Sequence, residues 1–369
     1  MNEYLPQSPI LNINRLGRLF DTMSESYKIF WFKAILNHIS LGKKEISFND
    51  LIDDMISSAW YMVSEYKLNL GPSDTLEKTV LHISEVSKLT NNSKKDEIKK
   101  FLINTNDKEI IKNKKILTKN VPYRLMKPLI DNCKNSMFHD TDDIVSTINK
   151  NTYLIYRFND ESGLNRKITI NDEWFEYLKD NSEVINGWID YNLIKYLQKR
   201  NPSVPGIINK LYPPIERKLT DVINYWKEVM KHIPILDIYT GNQLDNSISI
   251  DHFIPWSYVS HDELWDLIPT KKNTNSAKSN NLPDWNTYFD KLAKTEFDAL
   301  QITKSEDDAK LKKLFEKALD NNVTDERIKN ELYRKDRTLM EFTNVLKDVM
   351  LPVYDSAKNM GFNIWKITN

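Results

Sequence analysis

Cysteine is almost missing from this sequence. Cys133 stands alone in 369 residues, which excludes an internal disulfide and a multi-thiolate zinc site, so any metal must be held by oxygen and nitrogen ligands. Long apolar runs are missing as well: no stretch approaches the ~18 residues that would span a bilayer, and Met1 to Leu11 has neither a basic leader region nor a hydrophobic core of its own. Both absences point to a cytoplasmic protein. Net charge is the third absence. Lys plus Arg and Asp plus Glu both number 52, which removes any global attraction to nucleic acid and leaves that case to local charge. No repeat period is evident, so a solenoid is not supported.

What is present is an ordinary globular composition, 40% hydrophobic and 28% charged, on a chain long enough for two or three packed units. The first part reads as helices, because apolar residues recur at spacings of three and four. Ile29, Phe32, Ile35 and Leu36 form one stripe. A second runs from Leu51 through Met55, Ala59 and Val63, with Ser47 or Asn49 as its cap and Gly71-Pro72 as its end. A third has Ser73 or Asp74 as its start and buries Leu76, Val80, Ile83 and Val86. Such stripes are core packing before they are a partner surface.

From Lys94 to Lys127 the composition shifts: ten Lys and one Arg stand against four acidic residues. Two readings stay open, a phosphate-contacting surface or a solvated, mobile linker with charged helix faces. Thr152 to Phe158 and Lys167 to Ile170 alternate and are rich in aromatic and β-branched residues, with turn residues between them, which predicts a short hairpin. Helical patterns resume at Glu173 to Leu178 and Trp188 to Arg200. Another follows Pro213-Pro214 through Leu219, Val222, Trp226 and Met230, and should stop before Pro234.

Ile235 to Tyr239 then reads as a short strand, Thr240-Gly241-Asn242 as a turn, and Ile248 to Phe253 as a second strand carrying Asp251 and His252. After Pro255 come Asp262 to Ile268, and Pro269 and Thr270 open a short helix near Lys271 to Asn275, bounded by Pro283. Strand, strand and helix make a ββα unit. Beyond it the pattern is helical, through Phe289, Leu292, Phe297 and Leu300, then Leu311, Leu314 and Leu319, to a last stripe from Leu339 to Met350 that ends at Pro352. Trp365 is expected to dock back.

The residues Ile250-Asp251-His252-Phe253-Ile254-Pro255, Asp262 to Asp266, and Asn275 with Lys278, Ser279, Asn281 and Pro283 carry a resemblance. This stretch, Tyr239 to Pro283, resembles the HNH nuclease family, most of all the HNH domain of RNA-guided CRISPR effector nucleases, and the helical regions before it resemble those of bacterial stand-alone HNH proteins of restriction and defence. A lone Asp-His would carry no weight; the joint spacing does. The resemblance implies hydrolysis of a phosphodiester to a 5′-phosphate and a 3′-hydroxyl, with His252 as general base and Asp251 and Asn275 holding one divalent ion. Histidine suits the base role because its ordinary pKa is about 6.5. Oxygen ligands suit Mg²⁺ or Mn²⁺, and no structural zinc is expected. Asn273 is a further candidate ligand. Asp266 falls where the family has its middle asparagine, a supporting and orienting position; an ionised Asp accepts hydrogen bonds there but donates none. Lys271, Lys272 and Lys278 are either exposed helix charges or contacts to substrate phosphates. His261 is read as a loop histidine.

The expected architecture is mainly α, with an embedded ββα-metal (HNH) module and a short hairpin in the middle region. Its divisions are a helical recognition or assembly domain over 1–130, a middle region over 131–232, the nuclease module over 233–300 and C-terminal helices over 301–369. The expected function is an HNH endonuclease acting on DNA in bacterial restriction or anti-phage defence. An RNase or nicking enzyme of the same fold, or a catalytically silent nucleic-acid-binding scaffold subunit, stands as the alternative. With no net charge, a homo-oligomer or a protein partner is expected to activate the chain or supply affinity for nucleic acid.

Overall fold

A computed structural model describes residues 5–213, 219–305 and 307–367. The backbone clusters into two compact units. One holds the described residues up to 202 together with 210–213; the other holds 203–209 and the described residues from 219 on. Helix dominates both, as the apolar spacing predicts. No described helix is long and apolar enough to cross a membrane.

In the first unit, α1 (Tyr27–Ser40) is buried at every position from Ile29 to Leu36, so it runs through the core instead of lying on its surface. The cap of α2 (Phe48–Trp60) is Ser47, whose Oγ accepts from the Asp50 N–H at 3.0 Å. The helical stripe does continue past Trp60, but as a π-turn over Tyr61–Glu65. There the Trp60 indole and the Tyr61 hydroxyl donate to the carbonyls of Thr90 and Asn92. Asp74 caps α3 (Thr75–Val86), accepting from Leu76 N and Glu77 N while its other oxygen accepts from Ser26 N and Oγ.

The lysine-rich stretch is not a mobile linker. It forms α4 (Lys95–Asn104) and α5 (Lys108–Leu117), which bury Ile98, Leu102, Ile110 and Leu117. Part of its charge is met by acids of α2: Lys114 Nζ lies 2.6 Å from Asp53 Oδ1, and Lys99 pairs with Asp54. After α6 (Thr141–Lys150) comes the expected hairpin. Its strands β2 (Tyr156–Phe158) and β3 (Lys167–Ile170) pair antiparallel, Tyr156 opposite Ile170. A third strand, β1 (Glu45–Ser47), joins the far edge of β3. Two helices, α7 (Asp172–Asp180) and α8 (Ser182–Arg200), close the unit.

The second unit opens with α9 (Thr220–Val229), which stops before Pro234 as expected; Pro214, part of the breaker in front of it, lies outside the described residues, as do Met1 to Tyr4 of the opening segment. The strand expected at Ile235 to Tyr239 does not form. Only an isolated bridge links Leu236 and Gln243. The pair consists instead of β4 (Ile248–His252) and β5 (Leu267–Lys271), antiparallel with Asp251 opposite Ile268 and His252 opposite Leu267. Asp237 explains the difference. Its Oδ1 accepts from Tyr239 N and its Oδ2 from Thr270 Oγ1 and Lys271 N, so the preceding segment folds into a turn clipped onto β5 by one side chain.

The short helix α10 (Lys272–Lys278) follows β5 directly and packs on both strands. Then come β6 (Leu282–Pro283), α11 (Trp285–Ser305), α12 (Ala309–Asn322), α13 (Glu326–Leu332) and α14 (Leu339–Asn359). The last helix runs through Pro352 instead of ending there, because Tyr354 and Ala357 continue its buried face beyond the proline. Finally β7 (Ile364–Trp365) pairs parallel with β6, so Trp365 does dock back.

Candidate active site

The site is assembled where β4 ends. Pairing with β5 fixes the strand, and the Phe253 N–H extends the ladder by donating to the Asp266 carbonyl at 2.9 Å. Successive strand residues face opposite ways, so Asp251 and His252 need separate supports, and each has one. Asp251 is 3% exposed; its Oδ2 accepts from the Tyr239 hydroxyl at 2.6 Å and its Oδ1 from Lys278 Nζ at 3.1 Å. His252 is 6% exposed, and its Nε2 lies 2.9 Å from Asp262 Oδ1.

Lys278 is the least expected member. It is fully buried, and its ammonium also donates to the His252 carbonyl at 2.6 Å. One side chain thus ties the end of α10 to the end of β4, and the lysine does not lie on an exposed helix face. Leaving such a carboxylate buried and unpaired would cost several kcal/mol, roughly 3–5 by comparison with other broken pairs.

Tyr239 supplies the second support. Burial, and then the Asp251 charge beside it, push its hydroxyl well above the ordinary tyrosine pKa, so it stays protonated and donates throughout the neutral range. Its ring is held by Tyr288 at 5.1 Å and by Trp365 at 5.3 Å between centroids. The C-terminal strand therefore backs the site from a distance of more than a hundred residues along the chain.

Asn275, on α10, donates through Nδ2 to Ser249 Oγ at 3.0 Å and to the Ile250 carbonyl at 2.9 Å. This presses its amide against β4 immediately before Asp251, and its Oδ1 accepts no hydrogen bond among the described residues. Asn273 is exposed, and its Oδ1 accepts from the next residue's N–H. Lys272 is exposed and Lys271 half-buried at the start of the helix. Asp251 and His252 thus adjoin at the end of β4, Asn275 bonds to the strand just before them, Lys278 ties to both from inside, and Asn273 and Lys272 face solvent.

Asp266 is fully buried. Its Oδ1 accepts from Ile254 N at 2.8 Å, which holds the loop after β4, while Oδ2 has no hydrogen-bond partner among the described residues. Burial pushes its carboxyl well above the usual range, against the pull of the Ile254 N–H and Lys278. A neutral carboxyl carries an O–H and can donate as an asparagine amide does, which an ionised one cannot. Glu296 of α11 is raised in the same way, by burial and then by Asp266.

Four supporting residues carry no role in the sequence reading: Tyr239, Asp262, Asp237 and, as a buried tie, Lys278. For Asp237 a local signal exists, an aspartate four residues before Gly241 in a turn. For Tyr239 and Lys278 the contacts join segments far apart, and no spacing rule reports them.

A donor set of one carboxylate and one amide oxygen fits a hard divalent cation. Asp251 has four lone-pair positions, of which Tyr239 and Lys278 use two. A second cluster, Glu228, His232 and Asp308, brings its donor atoms within 4.8 Å of one another. Its charges are already met, Glu228 by Lys231 and Lys310 and Asp308 by His232 at 3.0 Å.

Comparison with known proteins singles out the same stretch: residues 237–284 match the HNH endonuclease family. The match begins at Asp237, the residue that clips the turn to β5, and ends at Asp284, which bonds the first turn of α11 through Thr287. No curated protein and no solved structure matches the chain.

Proposed function

We propose that this HNH module hydrolyses phosphodiester bonds of DNA with one Mg²⁺ or Mn²⁺ ion, in the setting of bacterial restriction or anti-phage defence. The observation that carries the reading is the joint placement of His252, Asp251 and Asn275. One imidazole and two hard oxygen donors are carried by the end of β4 and by α10, each with its orientation fixed by a hydrogen bond.

Asp251 and Asn275 would hold the ion. When bound, a divalent cation neutralises the negative charge that gathers on the leaving 3′ oxygen. The protein's own groups do the remainder. His252 takes the proton from the attacking water, and the Asp262 carboxylate at 2.9 Å stabilises the ring once it is protonated. Tyr239 and Lys278 fix Asp251 in one rotamer, so the ligand is in place before substrate arrives. Asp266 fixes the loop that follows the histidine. Lys271 and Lys272, at the head of α10, are the candidates for contacting flanking phosphates. The setting in defence rests on the likeness to stand-alone HNH proteins, and the even charge count supports a partner or a second copy as the source of affinity.

The test incubates plasmid DNA, and RNA in parallel, with wild type and His252→Ala in Mg²⁺, Mn²⁺ or EDTA. The expected result is metal-dependent cleavage of DNA that leaves 5′-phosphate ends and is absent from the variant. Cleavage that persists in His252→Ala would sink the assigned mechanism, and cleavage of RNA alone would replace the substrate.

A further inference from the structure

The lysine-rich stretch leaves a residue of charge that the nuclease reading does not use. Lys114 and Lys99 are met by Asp53 and Asp54, and Lys112 by Glu109. Arg124 and Lys127, at its end, form no ion pair with a carboxylate among the described residues. They line a cavity of about 570 Å³ in the first unit together with Lys28 of α1, which forms none either.

Each of these cations is held in place by a neutral acceptor. Lys28 Nζ donates to the Thr22 carbonyl at 2.8 Å, Arg124 Nε to Asn120 Oδ1 at 3.3 Å, and Lys127 Nζ to Asn135 Oδ1 at 2.8 Å. Arg124 also stacks over the Phe138 ring, 5.0 Å from its centroid. Their charges are close enough to oppose one another: the Lys28 ammonium is pushed below the ordinary lysine value by burial, then by Lys127 and Arg124.

Two acids on the cavity wall offset part of this, Asp21 acting directly on Lys28, but both are also engaged by other groups. Asp21 pairs with Arg18 at 3.5 Å. Glu25 turns a buried oxygen toward Gly71, where the absent Cβ makes room for it, and its carboxylate is engaged by the Ser73 backbone and by the charge of Arg200. Three like charges held around an open space by neutral groups store repulsion that a multivalent anion relieves. Phosphate suits them, carrying close to two negative charges at neutral pH and matching the arginine fork. A lone phosphate would leave most of the volume empty, whereas small-molecule pockets run from roughly 300 to 1,000 Å³.

We propose that the cavity bounded by Lys28, Arg124 and Lys127 binds a di- or triphosphate group, such as that of a nucleotide. The site is separate in the sequence from the β4–α10 centre and stands whether or not that centre cleaves DNA. Phosphate of the same chemistry also comes from a nucleic-acid backbone, and the experiment separates the two sources.

The full chain, in EDTA so that no cleavage intervenes, is titrated calorimetrically with ATP, inorganic pyrophosphate and a short DNA duplex. Wild type is compared with Arg124→Ala/Lys127→Ala and with Lys112→Ala, whose lysine is exposed and outside the cavity. ATP and pyrophosphate should bind wild type and Lys112→Ala alike, and the double variant should bind about a hundredfold more weakly, roughly tenfold for each cation removed. Without ligand the double variant should melt no lower than wild type, because repulsion has been removed. The same weakening seen for the duplex alone would keep the phosphate site and assign it to substrate backbone. Equal affinity of wild type and double variant for all three probes, or no binding of any of them to wild type, overturns the proposal.

Discussion

Buried carboxylates of α2 and of the α3 cap in the first unit are treated differently from those around β4 in the second. In the first, Asp54 and Asp53 of α2 each meet a lysine, Lys99 and Lys114, and Asp74 is wrapped by four donors from two segments. Burial still pushes Asp53 up, and Lys114 pulls it back. In the second, Asp251 is as well held as these, but Asp266 and Glu296 each keep an oxygen with no partner among the described residues. Charges in the first unit fasten helices together. Around β4 they set the position of groups that the assigned chemistry needs, and incomplete pairing is tolerated nearby, as it often is at functional sites.

The comparison is tested most strongly at His252. Replacing it with alanine should lower plasmid cleavage by about 10²- to 10⁴-fold, the usual worth of a general base, while the melting midpoint hardly moves. A midpoint that falls sharply would make His252 a structural residue like those of the first unit. Next come two matched lysines. Lys114→Met and Lys278→Met should each cost ~3–5 kcal/mol in chemical denaturation, since each strands a buried carboxylate. Only Lys278→Met should also lower cleavage per folded molecule, and an equal loss in both would erase the distinction.

Lys210, in the first unit, is a smaller and pH-dependent case. It is fully buried near the Tyr66 ring, and burial lowers its pKa to about 7 from an ordinary 10.5. Between these values the unfolded chain holds a proton that the folded chain lacks, so stability rises with pH across that window. Below about 7 the folded chain carries the charge and the cost is greatest. Lys210→Met should therefore be at its most stable relative to wild type near pH 6, with that gain shrinking toward pH 10. Denaturation curves at several pH values measure it, and a gain independent of pH contradicts the assignment.

The smallest effect is expected at Asp266. Its raised pKa means that the folded chain keeps a proton that the unfolded chain releases above the ordinary aspartate value, so stability is lost as pH rises through that range. Asp266→Asn removes the loss. It should raise stability by ~1 kcal/mol, more at pH 8 than at about pH 5, and leave cleavage intact. A large drop in cleavage would show that the ionised form is needed.

How much of this was legible in the sequence depends on the distance over which the cause acts. The helices α1, α2, α3, α7 and α8, the hairpin at Tyr156 to Ile170 and the caps at Ser47 and Asp74 follow from spacing and local hydrogen bonding, which neighbouring residues carry by themselves; the helices of the lysine-rich stretch do not. The expectation for Asp251, His252 and Asn275 came instead from the resemblance to the HNH family, since spacing alone gives an Asp-His pair no role. Even within the ββα unit the sequence misassigned a strand, since Ile235 to Tyr239 alternates well enough but Asp237 uses its backbone and side chain to make a turn.

What only the tertiary structure decided is what stands behind the site. Lys278 looks like a surface charge in a polar helix, and it is buried because Asp251 and the His252 carbonyl offer it three-dimensional company that linear spacing does not report. Tyr239 reaches Asp251 because Trp365, at the other end of the unit, packs on its ring. The raised pKa of Asp266 belongs to the same class. Composition supplies the carboxyl, but the loss of solvent around it, which sets its charge, exists only once the helices have closed over β4 and β5.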